Sequence, residues 1–217
     1  MSAGPVNDFV VAMQKIPRPR GRPRRFDPEE AVARAQRLFH ERGYDAVGVA
    51  DLTQALGISP PSFYAAFGSK VGLYARTLSR YTATTGVPLD DILVAGRPVM
   101  AALKALLQEA ARRYAADQEA TGCLLIEGTR CLDPDARNAA LSFTVAAQDT
   151  IHRFVAASHL EEAQRLTDYV VTVMVGLSTM ARAGHSLERL LQTAYLAGIS
   201  IEQGLIQPKV VGTTAFR

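Results

Sequence analysis

Residues 49–70 read Val49-Ala50-Asp51-Leu52-Thr53-Gln54-Ala55-Leu56-Gly57-Ile58-Ser59-Pro60-Pro61-Ser62-Phe63-Tyr64-Ala65-Ala66-Phe67-Gly68-Ser69-Lys70. The punctuation of this stretch predicts two short helices. Val49, Leu52, Ala55 and Leu56 share one helical face, and Gly57 follows where a helix should end. Ser59 supplies a cap and Pro60 a first helical position for a second helix, which runs to Phe67 before Gly68. Helices over Val49–Leu56 and Pro60–Phe67 joined by so tight a turn have the layout of a helix-turn-helix, whose second helix enters the major groove of DNA. Many helical hairpins share that spacing, so the rest of the chain has to decide between them.

On the N-terminal side, Phe26-Asp27-Pro28-Glu29-Glu30 starts a preceding helix with an Asp cap, an N1 proline and two carboxylates in the first turn. Ala31, Ala35, Leu38 and Phe39 give it one buried face and Gly43 closes it. Ser69 caps a fourth helix from Lys70 to about Thr84. The segment 84–96, with two glycines and a proline, has no sustained period and reads as a domain junction. Beyond it helical periodicity continues over Val99–Ala116, Gly122–Leu132, Pro134–Ser158, Glu161–Ala183 and Ser186–Leu205, with no competing strand pattern. The fold class expected is all-α with about nine helices. A three-helix helix-turn-helix DNA-binding bundle over 26–84 is followed by a larger helical bundle over 97–207.

The charge is divided unevenly. The net charge of the 217 residues is +3, but residues 1–80 hold 12 Lys/Arg against 7 Asp/Glu and residues 81–217 hold 12 against 14. The surplus is sharpest in Lys15–Arg25, KIPRPRGRPRR, which prolines 17, 19 and 23 keep from forming helix, so residues 1–25 are expected to be a flexible basic arm. Arg20-Gly21-Arg22-Pro23 resembles the RGRP core of AT-hooks, which implies Arg20 and Arg22 in a narrow A·T minor groove. The alternative is a solvated charged tail.

The run Gly43-Tyr44, Val49 to Leu52, Ala55 to Ser59, Ser62 to Lys70 and Leu73 resembles the DNA-binding domain of TetR/AcrR-family transcriptional regulators over about residues 26–80, including the Tyr-x-x-Phe-x-x-Lys signature at Tyr64, Phe67 and Lys70. The resemblance implies a homodimeric repressor whose C-terminal bundle binds a small molecule and, on binding, separates two recognition helices. At 61 and 62, where many members carry Lys or Gly, this chain has Pro61 and Ser62, so an operator sequence does not transfer. As candidate DNA contacts, Tyr64 reaches a phosphate with its phenol, the alternative being a core tyrosine. Lys70, a cation at a helix start, asks for a compensating anion that phosphate would supply, the alternative being a solvated lysine. Pro61, Ser62 and Ser59 lie nearest base edges or phosphates, although Ser59 is also the cap. Thr53 and Gln54 are candidates for backbone contact. Phe63 and Phe67 face the core.

The remaining composition narrows the class. With 48% hydrophobic and 21% charged residues and a mean hydropathy of +0.04, the chain folds and stays soluble. Its longest uncharged C-terminal stretch, Tyr169–Ala181, is too short and polar to span a membrane, and no secretory signal opens the chain, so the expected location is the cytoplasm. No GxSxG, GxxxxGK[ST], HExxH or GxGxxG motif is present, so no catalytic residue and no cofactor are expected, and a helical enzyme is the least favoured reading. His152 and His159 lie about 10 Å apart along a helix, too far for one metal ion. Cys123 and Cys131 would lie about 12 Å apart on a helix, beyond a disulfide's reach. A thiol activated by Arg130 keeps open a redox-sensing regulator using Cys123, against buried inert thiols.

Two further expectations concern the second bundle. Asp168–Ala183 and Ser186–Leu205 are apolar around more of their circumference than a monomer can bury, which predicts a homodimer through these helices, with Gly176, Ser178, Ala194 and Gly198 allowing close packing. An effector pocket is expected inside the bundle, lined by Met100, Leu103, Leu107, Tyr114, Phe143, Met174 and Met180 and suited to a hydrophobic or aromatic molecule. The alternative is that these seven fill a solid core. The partners expected are therefore double-stranded operator DNA, a second copy of the chain and a small-molecule effector, with no membrane.

Overall fold

A computed structural model describes residues 27–206, so the basic arm, with Arg20 and Arg22, lies outside the described residues. Among these the structure has ten α-helices and no strand: α1 (Pro28–Arg42), α2 (Val49–Leu56), α3 (Pro60–Phe67), α4 (Lys70–Thr84), α5 (Leu89–Ile92), α6 (Val99–Tyr114), α7 (Leu124–Gly128), α8 (Pro134–Ala156), α9 (Ala163–Arg182) and α10 (Leu187–Ile206), with a 3-10 turn at Leu160–Glu162. The all-helical expectation holds. The first four helices fall where local chemistry puts them: Asp27 accepts from Glu29 N–H and Glu30 N–H, Ser59 from Ser62 N–H and Ser69 from Gly72 N–H. Each such cap is worth about 1 kcal/mol.

α1 packs along α4, tied by Gln36, which donates to Thr85 and accepts from Arg80. α2 and α3 close the small bundle by burying Leu52, Leu56, Phe63 and Phe67 in the core that also holds Phe39. Phe39 and Phe63 are fully buried, and truncating either to Ala costs about 3–5 kcal/mol. α6 is the hub of the second bundle. Eight of its residues, from Val99 to Tyr114, are buried because α9 and α10 wrap it on two sides. The core runs unbroken from α1–α4 into α6–α10, since α4 also packs on α7 and α8.

Three elements differ from the sequence reading. The segment 84–96 carries a helical turn, α5, which packs on α6 and α8. The helix expected over Gly122–Leu132 shrinks to Leu124–Gly128: Gly122 has φ 79°, and the Cys123 N–H donates to Ser178 Oγ at 2.9 Å, a tertiary partner that holds the chain extended there. The helix expected from Glu161 begins at Ala163, after the 3-10 turn.

Candidate nucleic-acid interface and effector cavity

The α2–α3 turn is set by Gly57, whose left-handed backbone (φ 68°, ψ 34°) lets its own N–H donate to Gln54 C=O and that of Ile58 to Thr53 C=O. Phe63 and Phe67, with ring centroids 5.5 Å apart, point inward, which leaves Pro60, Pro61, Ser62, Tyr64 and Ala65 as the exposed side of α3. Tyr64 is 52% exposed and stands edge-on to Phe63, so it is not a core tyrosine. The Ser59 and Ser62 hydroxyls are 2.9 Å apart and hydrogen-bond each other.

One expected DNA contact, Thr53, is turned inward, and another, Lys70, has a ring partner within the fold. Thr53 is buried and its hydroxyl donates to Ala50 C=O, because on so short a helix the face carrying Leu52 and Leu56 draws it inward. Lys70 sets its Nζ 3.8 Å from the centre of the Tyr44 ring, and Tyr44 in turn donates to Asp133 Oδ2 at 2.8 Å. The Lys70 ammonium thus has a π face within the fold, and its charge is felt at Asp133. The Tyr44 hydrogen bond, with the Lys70 charge adding to it, holds Asp133 below the usual carboxylate range, while burial and Asp133 push the Tyr44 phenol up.

A cavity of about 650 Å³ opens beside α8. Between Ala140 and Ile151 no α8 residue is fully buried, so this helix stands off from the bundle for three turns. Of the expected lining, Tyr114, Phe143 and Met174 are at the wall. Met100, Leu103, Leu107 and Met180 are not. Leu103 and Leu107 are fully buried on α6, where α9 and α10 leave no space, and only the last turn of α6 meets the cavity. Met100 is half-buried at the other end of α6, and Met180 is 41% exposed on α9. Sequence reasoning missed the wall formed by the end of α4, by α5 and by α7, with Tyr81, Val87, Leu89, Cys123 and Ile126. The signal for it was weak: an aperiodic Gly/Pro segment and a stretch of α8 that mixes Thr144, Gln148 and Thr150 with apolar residues.

Inside, the cavity carries no charge. Burial and contact with Cys123 push the Tyr81 and Tyr114 phenols well up, and burial pushes the Cys123 thiol up, so all three stay protonated at neutral pH. Asp90, Asp91 and Arg130 sit at the exposed rim. The expected activation of a thiol by Arg130 does not occur, since Arg130 is exposed and 3.5 Å from Glu127. Cys123 neighbours Tyr81 and Tyr114, whereas Cys131 neighbours Tyr74 and Asp45.

The cavity wall continues into the seam with the small bundle. The backbone of Gly122, next to Cys123, accepts from His40 Nε2 at 3.3 Å, and Arg182 donates to His40 C=O at 3.0 Å. Asp45 accepts from Leu132 N–H at 2.9 Å, and Asp133 both caps α8 and accepts from Tyr44. Burial and the Arg182 charge lower the His40 pKa to about 4, so the imidazole is neutral.

Among the described residues no three His, Cys, Asp or Glu side chains gather as a metal site, and no helix is long and apolar enough to cross a membrane. The profile of bacterial regulatory proteins of the tetR family matches residues 31–77. The chain is 50% identical over 192 residues to the HTH-type transcriptional repressor BdcR of Escherichia coli (strain K12), covering 88% of this chain and 98% of that protein. It is 30% identical over 192 residues to the HTH-type transcriptional repressor ComR of the same organism, covering 83% and 91%. Among solved structures, a cysteine mutant of the TetR family transcriptional regulator CifR, complexed with 26 bp double-strand operator DNA, superposes with a TM-score of 0.73 at 31% identity, covering 82% of this chain and 99% of that one.

Proposed function

The chain belongs to the tetR family of bacterial regulatory proteins and is a DNA-binding transcriptional repressor, not an enzyme; on that basis we propose that it acts in the cytoplasm as a homodimer that a small neutral, apolar or aromatic effector releases from operator DNA. In this reading residues 26–84 hold the DNA, and residues 97–207 hold the effector and the second subunit.

The observation that carries the effector reading is the continuity of cavity and seam. Cys123 lines the cavity, and the adjoining Gly122 is bonded to His40 at the end of α1. A molecule that moves α7 therefore strains a contact of the DNA-binding bundle, and its differential affinity for the two arrangements shifts the DNA equilibrium. The uncharged lining disfavours ionised ligands, whose desolvation it does not offset. An outward set on α9 (Tyr169, Gly176, Met180) and on α10 (Tyr195, Leu196) supports the dimer. Ser178, Ala194 and Gly198, expected at the two-fold, are instead buried within the subunit.

The test is footprinting on the DNA flanking the protein's own gene, followed by addition of neutral aromatic and aliphatic compounds. Protection of paired half-sites centred about one helical turn (34–36 Å) or a multiple apart, and release by a compound at the affinity measured for the free protein, supports the proposal. A complex that no compound releases, but that peroxide releases in a Cys123-dependent way, would replace it with redox control. That second reading is favoured by the place of Cys123 at the cavity wall and opposed by the burial that keeps its thiol protonated.

A further inference from the structure

The exposed side of α3 is unusual in what it lacks. From Pro60 to Phe67 there is no Arg, Lys, Asn, Gln, Asp or Glu, and these are the side chains that grip purine and cytosine edges in the major groove. Its outward groups are the Pro60 and Pro61 rings, the Ser62 hydroxyl, the Tyr64 phenol and the Ala65 methyl. The Ser62 hydroxyl is tied to Ser59 Oγ at 2.9 Å. Nor does the helix start offer donors to a phosphate: Pro60 and Pro61 have no N–H, and the Ser62 N–H donates to Ser59 Oγ. On α2, Asp51 accepts from Gly48 N–H, which leaves Gln54 as the exposed carboxamide of the two helices.

We infer that α3 reads its operator through thymine 5-methyl groups, with Pro61 and Ala65 packing on the methyls while Tyr64 holds a phosphate. This rests on the DNA-binding reading above and adds to it the chemical basis of sequence choice. The thymine methyl is the apolar group that the major-groove edge presents, and it matches an apolar, donor-poor helix face. Pro61 and Ala65 lie four apart on α3, so they stand one above the other on one face and reach successive base pairs. Phe63 and Phe67, buried behind them, fix that face toward the groove.

The experiment begins with selection of a duplex by the full-length protein from a random pool. Each thymine of the selected half-site is then replaced by deoxyuridine, which removes only the methyl, and affinity is read by fluorescence anisotropy at fixed salt. Loss of about fourfold in affinity per contacted methyl is expected, with recovery when 5-bromodeoxyuridine restores the bulk. The protein side is tested with Ala65→Ser and Pro61→Ala, both exposed positions: in the double variant the deoxyuridine penalty should fall below about 1.5-fold, the mark of a coupled pair. Deoxyuridine without effect at every position overturns the inference. So does a loss confined to 7-deazaadenine, which would assign readout to Gln54. Failure to select any duplex would overturn the DNA-binding reading itself, so the two failures are distinguishable.

Discussion

His40 is a titratable group in the seam between the two bundles, and its burial has a consequence for stability. Its pKa of about 4 lies below the usual 6.5 because the buried imidazolium would lose its water and face Arg182. The unfolded chain therefore binds the proton more readily, and stability present above pH 6.5 is lost as the pH falls through 6.5 toward 4, by roughly 3 kcal/mol in all. Urea unfolding at a series of pH values should show this slope, and His40→Gln should flatten it; an unchanged slope in the variant would assign the acid sensitivity elsewhere. Lys70 and Thr53 show how far residue-level reasoning reaches. A lysine at a helix start calls for a neighbour that offsets its charge, and the sequence has no way to indicate that Tyr44 and Asp133, 26 and 63 positions distant, would be brought to it.

Among the helices, the contact that spaces α7, α8 and α4 is made at Gly128. A Cβ there would collide with the Tyr74 hydroxyl and come within 2.6 Å of the Ala140 Cβ. Gly128→Ala should therefore overpack the junction and destabilise the fold by about 1–3 kcal/mol, read as a lower midpoint in denaturant at constant m-value. Gly198→Ala is the contrast: its Cβ would meet Lys104 Cγ at 2.9 Å, a side chain rather than a packed ring, so the midpoint should fall less, with the Lys104–Glu202 ion pair giving way. A Gly128→Ala protein as stable as wild type would show that α7 is free to shift without cost. The helices that the sequence foretold within a residue, α1 to α4, carry their caps and stops on adjacent residues. Of those it overextended, α7 starts late where Ser178 on α9 takes the Cys123 N–H and stops short of Leu132, whose N–H goes to Asp45, contacts no local pattern encodes.

Over the full chain, affinity for DNA and choice of DNA are assigned to different parts. Residues 27–84 hold six Lys/Arg and six Asp/Glu, while residues 1–26 hold six Lys/Arg and one Asp. Deleting residues 1–25 should weaken operator binding and flatten the slope of log K against log salt by about 0.9 for each phosphate that the arm neutralises; equal slopes would make the arm a mere tail. Sedimentation should give a species of about twice 23.4 kDa, and Tyr195→Glu, which places a charge in that outward set, should shift it to the monomer. A 23 kDa species for the wild type would exclude the dimer. The helix-turn-helix, the all-helical class, the family resemblance and the division of charge were all legible in the amino-acid order, because caps, glycines and a 3.6-residue period act between neighbours. The position of the cavity, which residues of α9 and α10 stay uncovered, and the use of the aperiodic segment 84–96 as a wall came from the packed molecule alone. Each of those depends on which helix faces get covered, and helices far apart in the chain decide that together, as α9 and α10 do when they close over Leu103 and Leu107 and leave open space beside α8.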